Sequence, residues 1–449
     1  MIGIGGTGMN GIAEVLFNLG YKISGTDISA NEATHRLSQF GVDISIGHNA
    51  EKVRGADVVV VSSAIKEDNV EVEEARRLKI PIIPRAEMLA ELMRMKYGVA
   101  IAGSHGKTST TSMIAQVLEG GGFDPTIIVG GRLNTIGAHA KLGEGDFIVA
   151  EADESDRTFL YLSPFIAVLT NLDEEHLDQY RTVDEIKKTF ANFVNKVPFY
   201  CPVVLCLDDP NLKSLIPSID RRIISYGFSP HSDIFVEDQK FNGFSSTSTI
   251  FWKREKLGTL KLNAPGKHSI YNAMAAVAVG MDLDISLHVI LQSLEYYKGI
   301  GRRFEFKKEV NNIMIIEDYA HHPTEIKATL EAAKSGWERR IIAVFQPHRY
   351  TRLSYLMKQF SASFTLADIL VVTEIYPAGE NPISNVSGKK LYKEIKNFGQ
   401  SNVFFEPDIK KIPAFIGRIA KPQDMIIVMG AGNIYQIIPD TIKKLEEKE

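Results

Sequence analysis

The stretch AIAGSHGKTSTT, residues 100–111, decides how the chain is read. Just before and within it, VAIAG is an apolar run of strand type, and KTSTTSMIAQVLEG from Lys107 onward carries apolar residues at helical spacing. Strand, glycine turn and helix in that order belong to an α/β layer. The turn also aims backbone N–H groups and the positive end of a helix dipole at one spot. Lys107 adds a point charge for β and γ phosphates, and Thr108 a hydroxyl where a phosphate-bound Mg²⁺ would sit. The usual spelling G-x-x-x-x-G-K-[ST] has its first glycine where this chain has Ile101. The first glycine here is Gly103, so the loop is a shorter G-x-x-G-K-T. Taken alone it fits either an ATP site or an ordinary strand-to-helix turn.

The surrounding sequence favours the first. IVAEADESD ends a strand-like run with Glu151, Asp153, Glu154 and Asp156. Carboxylates at the C-terminal edge of a strand, near a phosphate loop, suit a hard cation with oxygen ligands. TNLDEEHLDQY repeats the arrangement, with Asn171 at a strand end and His176 shortly after it.

Outward from this loop, strand-like and helical stretches alternate along nearly all of the 449 residues, which predicts mostly parallel sheets covered by helices. The length exceeds what one core supports. Three α/β domains are expected. Residues 1–95 form a Rossmann-like N-terminal domain. Residues 96–303 form a central P-loop ATPase domain with a small antiparallel insert in SDIFVEDQKFNGFSSTSTIFWKREKLGTLKL. Residues 304–449 form a Rossmann-like C-terminal domain. The closing KKLEEKE reads as a frayed helix end.

The net charge of −4 gives no general attraction to nucleic acid or to an anionic membrane surface. No apolar run is long enough to span a bilayer, and the glycine-rich start lacks the basic region of a secretory signal. The two cysteines, Cys201 and Cys206, lie in a strand-like run and read as reduced core thiols, which makes the cytoplasm the expected compartment.

A second glycine loop opens the chain. GIGGTGMNGIAEVL sets Gly3, Gly5 and Gly8 in the G-x-G-x-x-G phase, and Asp27 closes the next strand. The pattern says only that a diphosphate can approach a helix N-terminus, so it suits a nicotinamide dinucleotide or a UDP-linked ligand. A UDP substrate beside an ATP site is the more economical pairing. The opening strand is unusually short because Met1 falls almost at the loop, which leaves open whether residues upstream are missing.

These motifs, with SSAIKEDNVE, GKHSIYNAMAA, GIGRRFE, EDYAHHPTEI, FQPHRYTR, EIYPAGE and MGAGNI, occur in order across essentially the whole chain, and together they resemble the Mur ligases of peptidoglycan synthesis. Within that family the resemblance is strongest to the branch that adds L-alanine to UDP-N-acetylmuramate. It implies ATP and Mg²⁺ as cofactors, those two compounds as substrates, and a monomer or weak dimer. It places Gly5, Gly6, Thr7 and Gly8 at the UDP diphosphate, with Asp27, Ser62 and Ser63 near the nucleotide. Gly103, Ser104, His105, Gly106, Lys107, Thr108 and Ser109 would form the ATP phosphate loop, with Thr108, Glu151 and His176 around Mg²⁺. His268 and Asn272 would meet adenine, Arg303 the ATP phosphates and Asp318 the ribose. Tyr319, His321, Arg349 and Arg352 would lie near the muramoyl carboxylate and the incoming alanine, with His321 as a candidate proton acceptor. Ser104 and Ser109 stand where the family has Thr, which keeps the hydroxyl. Asn433 stands where Asp is frequent, which removes a charge.

The implied chemistry phosphorylates a carboxylate to an acyl phosphate, which the alanine amine then attacks. Phosphoryl transfer needs positioning and charge neutralisation, which Lys107, Arg303 and Mg²⁺ would supply. Sites on three domains imply closure on ligand binding. Other readings stay open. A recycling ligase of the same family attaches an intact tripeptide. A nicotinamide-dependent dehydrogenase would explain the first loop but not the second. A nucleotide-binding regulator would carry the site without turnover.

Overall fold

A computed structural model describes residues 1–62, 64–133, 138–154, 157–173, 180 and 182–447. The chain forms two compact units. The first comprises Met1–Gln239, Thr247–Leu262 and Ser269–Ile300; the second comprises Lys240–Ser246, Asn263–His268 and Gly301–Glu449.

The first unit contains two sheet systems. Near the N-terminus, β1 (Ser24–Asp27) pairs in parallel with β2 (Asp43–Ile46), and β3 (Val59–Val61) with β4 (Ile82–Pro84). Ile2 joins the two pairs through parallel bridges to Thr26 and Val61. The strand expected through IGIGG is thus reduced to that bridge, because Gly3 turns the backbone at φ +76°. Ile2, Val53, Val59, Val72 and Ala75 make one buried cluster, and Ile4, Ala13, Leu37 and Val42 another. Helices on both faces of a short parallel sheet are the Rossmann-like layering that the sequence predicts.

The second sheet has ten strands. They are β5 (Tyr97–Ala102), β6 (Thr126–Leu133), β7 (Ala138–Lys141), β8 (Phe147–Glu151), β9 (Ile166–Leu169), β10 (Pro202–Cys206), β11 (Arg222–Gly227), β12 (Ile234–Asn242), β13 (Ser245–Trp252) and β14 (Glu255–Leu262). Their spatial order is β14-β13-β12-β11-β10-β9-β5-β8-β6-β7. β5 lies inside the sheet between β8 and β9, parallel to both. Its residues from Gly98 onward are buried, which is why this strand reads as a continuous apolar run rather than an alternating one. Strands β12 to β14 follow one another through two-residue turns, so they run antiparallel. Lys253 and Arg254, at φ +46° and +71°, make the second turn with the left-handed pair that tight hairpins use. These three strands are the expected small antiparallel insert, and the parallel pairing of β12 with β11 joins it to the ten-stranded sheet.

The second unit is built on β15 (Glu305–Val310), β16 (Ile313–Asp318), β17 (Arg340–Phe345), β18 (Ile369–Val372), β19 (Val403–Phe405) and β20 (Asp424–Met429), ordered β15-β16-β20-β17-β18-β19. Only β15 is antiparallel to its neighbour. Buried clusters line both faces. Insertion of β20 between β16 and β17 makes a topological switch point, where connections from neighbouring strands leave to opposite faces of the sheet. Among the described residues, no helix is long and apolar enough to cross a membrane.

Candidate active site

The phosphate loop of the first unit joins β5 to the helix Lys107–Gly120. Its path needs glycine twice. Gly103 lies at φ +135°, and a Cβ there would come 2.2 Å from Thr170 Oγ1. Gly106 lies at φ +80°, and a Cβ there would come 2.9 Å from Asn272 Oδ1.

The end of β9 holds the loop in shape. His105 N donates to Asn171 Oδ1 at 2.8 Å, and its carbonyl accepts from Thr170 Oγ1 at 2.7 Å and from Asn171 Nδ2 at 2.9 Å. Ser104 Oγ accepts from Asp173 N at 2.8 Å. His105 Nε2 lies 3.2 Å from Asp173 Oδ2. Asn272 also accepts from Thr110 Oγ1 at 3.1 Å, fixing the helix Lys267–Asp282 to the first turn after the loop.

The acidic run after β8 divides its work. The register pairs Glu151 with Ile101, one strand away from the loop. Gly130 N donates to Glu151 Oε1 at 2.7 Å. Next to it, a Cβ on Gly131 would come 2.9 Å from Thr108 Cγ2. Successive glycines of β6 thus lie against Glu151 and the Thr108 methyl, and the two side chains offer a carboxylate and a hydroxyl oxygen, donor types that a small hard cation takes. Asp153 instead lies 3.2 Å from Arg85, and both oxygens of Glu154 accept from Lys107 Nζ, at 2.9 and 2.8 Å. His176 and Ser63 lie outside the described residues, as does the side chain of Thr7.

The first glycine loop leads into the helix Thr7–Asn18 with Gly6 as its N-cap. Asp27 Oδ2 accepts from Gly5 N at 2.9 Å, and a Cβ on Gly5 would come 2.7 Å from Asn31 Nδ2. Gly8 faces Arg85, and Gly3 faces Ser62. Asp27 and Ser62 therefore flank the loop, and Asp27 also shapes it.

In the second unit the expected residues gather at the ends of β16 and β17. Asp318 is buried, and its carboxylate accepts from Phe304 N at 2.8 Å and Ala320 N at 2.7 Å. Burial raises its pKa to about 6 despite the Arg303 charge. Arg303 reaches Glu325 at 3.4 Å and lies 5.2 Å from the centre of the Tyr319 ring. His321 Nδ1 lies 2.9 Å from the Tyr319 carbonyl and 3.2 Å from Glu325. Two acceptors beside Nδ1 favour the tautomer with its proton on that nitrogen.

Arg349, at φ +70°, precedes the helix Tyr350–Ser361, and Arg352 lies in its first turn. His348 stacks on Tyr376 with centroids 5.6 Å apart. Burial, then His321, Arg352 and Arg349, lower its pKa to about 3. Burial and then Arg303 lower that of His268 to about 4. Both imidazoles are neutral at ordinary pH.

Three segments match Mur ligase families: residues 1–97 the catalytic-domain family, 101–280 the middle-domain family, and 302–432 the glutamate ligase domain family. The UDP-N-acetylmuramate–L-alanine ligase of Geotalea daltonii is 53% identical over 99% of this chain and 97% of that protein. The chain belongs to the Mur ligase family. The solved UDP-N-acetylmuramate–alanine ligase of Thermotoga maritima superposes with a TM-score of 0.85 at 28% identity, covering 100% of this chain and 99% of that one. The murein peptide ligase of Psychrobacter arcticus gives 0.71 at 26% identity, covering 99% and 98%.

Three side chains outside the expected set organise the site of this Mur ligase. Glu325 takes Arg303, the His321 ring and the backbone N–H groups of His321 and His322, while capping the helix Pro323–Gly336. HHPTE carried the signal, as a capping box with proline after its first residue. Gln346 donates to Asn433 Oδ1 at 3.0 Å and accepts from Ile434 N at 3.1 Å. Asn433 thus serves as a neutral acceptor across the ends of β17 and β20. The third is Glu154.

Proposed function

We propose that this Mur ligase joins L-alanine to the lactyl carboxylate of UDP-N-acetylmuramate, with ATP converted to ADP and phosphate, in peptidoglycan precursor synthesis. The observation that carries this is the 53% identity, over 99% of the chain, to a protein named for that reaction. The glycine loop before Thr7–Asn18 takes the UDP diphosphate, with Asp27 and Ser62 beside it. The Gly103–Ser109 loop takes the ATP phosphates, Asn272 and His268 the adenine, and Asp318 the ribose.

Thr108, Glu151 and His176 would hold Mg²⁺, which when bound neutralises phosphate charge and polarises the transferring group. Lys107 and Arg303 balance charge on the same phosphates. They align ATP for in-line attack by the muramoyl carboxylate. Arg349 and Arg352 hold carboxylates, in keeping with the planar two-point grip of a guanidinium. His321, held by Tyr319 O and Glu325 at Nδ1, offers Nε2 to the ammonium of alanine and takes its proton before attack on the acyl phosphate. We place domain boundaries at 95/96 and 303/304, and the protein in the cytoplasm as a monomer or weak dimer.

Phosphate release with UDP-N-acetylmuramate, ATP and Mg²⁺, measured with L-alanine, with a free tripeptide that begins with L-alanine and with neither, tests the reading. Release that depends on L-alanine is expected. Release that depends on the tripeptide instead makes the chain a recycling ligase, and no release with either overturns the assignment.

A further inference from the structure

The ammonium of Lys107 is fully engaged within the protein. Nζ donates to Gly103 O at 2.6 Å and to the two oxygens of Glu154 at 2.9 and 2.8 Å. A lysine ammonium carries three donors and no acceptor. A phosphate that reaches Nζ must therefore displace a partner already there. The Gly103 carbonyl belongs to the loop and moves only with it. Glu154 is the partner with a side chain to turn, and the one whose charge opposes a phosphate.

The pair is built in rather than incidental. The Glu154 side chain is 4% exposed and that of Lys107 17%. The Glu154 backbone is tied down as well, its carbonyl accepting from Tyr180 Oη at 2.7 Å. A cation held this far from water is unfavourable without an anion beside it.

We propose that Glu154 is a positioning residue for Lys107: a resident counter-ion that holds the ammonium in the loop, yields it to the nucleotide phosphates, and reclaims it as ADP departs. This rests on the reading of Lys107 as the phosphate-binding lysine. It follows that Glu154 competes with nucleotide. The loop binds ADP less tightly than its geometry allows, and product leaves faster.

Equilibrium and stopped-flow binding of ADP to the full chain, without Mg²⁺, tests this. Glu154→Gln keeps the shape and removes the charge. It should bind ADP on the order of tenfold tighter, mostly through slower dissociation. In turnover it should lower KM for ATP and kcat together. Glu154→Asp, which keeps the charge on a shorter arm, should fall between the two. Lys107→Ala should weaken ADP binding.

If Lys107→Ala weakens binding while Glu154→Gln binds ADP no tighter than the parent, the counter-ion role is refuted and the phosphate site stands. If Lys107→Ala leaves ADP affinity unchanged, the phosphate-site reading falls and takes this proposal with it. Should Glu154→Gln fail to fold, Glu154→Asp decides, and ADP affinity at or below the parent value refutes the role.

Discussion

Glu325 sits where structure and chemistry meet. It satisfies the N-terminus of a helix through the backbone N–H groups of His321 and His322, and it bears on two groups of the proposed mechanism, Arg303 and the His321 ring. Gln at this position still accepts from the backbone, so Glu325→Gln should stay within about 1 kcal/mol of the parent in stability. It gives up the charge that faces Arg303 and the carboxylate that keeps the proton on Nδ1. Turnover should fall on the order of tenfold or more, as losses of such supporting hydrogen bonds do elsewhere. Unchanged kcat in a variant of parental stability would show that the orientation of His321 does not matter to the reaction. Lys107 was singled out from its glycine turn, whereas His321 and Arg303 were named only through the family resemblance. Glu325 stayed outside the expected set, because in sequence a capping glutamate looks the same whether or not it also faces a site.

At the level of the element, the phosphate loop is a joint product of two strand ends. Gly103 is required both by its backbone angle and by the nearness of Thr170 and Asn171. Gly103→Ala would drive a methyl against the Thr170 hydroxyl and the Asn171 backbone in a conformation that disfavours Cβ. A loss of about 2 kcal/mol or more is expected, with ADP binding weakened beyond detection. Thermal melts with and without ADP read both effects, and a variant with parental melting and parental ADP shift would contradict this account of the loop. Periodicity and glycine placement revealed the strand, turn and helix because those signals are local. They could not reveal that Asn171 shapes the loop, since the pairing of β5 with β9 joins residues far apart in sequence. Nor could they show that β12–β14 continue the central sheet, because alternating strands read alike whether they stand apart or pair with a neighbour. The short opening strand read in IGIGG ends for a local reason as well, since Gly3 turns the chain at once.

Across the whole molecule, folding buries titrating groups in both units, and three of them respond together to mild acid. His268, His348 and Asp318 all belong to the second unit. Folding lowers the two histidines from 6.5 to about 4 and about 3, so the stability tied to their neutral forms is complete above pH 6.5 and is lost as pH falls. Folding raises Asp318 from 3.8 to about 6, so its contribution has the opposite sign and grows as pH falls through 6. Near pH 5 the unfolded chain has taken up a proton at each histidine, while the folded protein has taken up one at Asp318. The balance of about one proton favours unfolding, close to 1.4 kcal/mol per pH unit or roughly 2 kcal/mol between pH 7 and 5. Amide exchange, corrected for its intrinsic pH dependence, should therefore report a loss of protection of that size in the sheet β15–β20. His348→Asn removes one of the two opposing protons, so its protection should be nearly flat over the same range, whatever its absolute level. A parent protein whose second unit holds its protection from pH 7 to 5, or a His348→Asn variant that loses as much as the parent, would show that these histidines are not kept neutral by the fold.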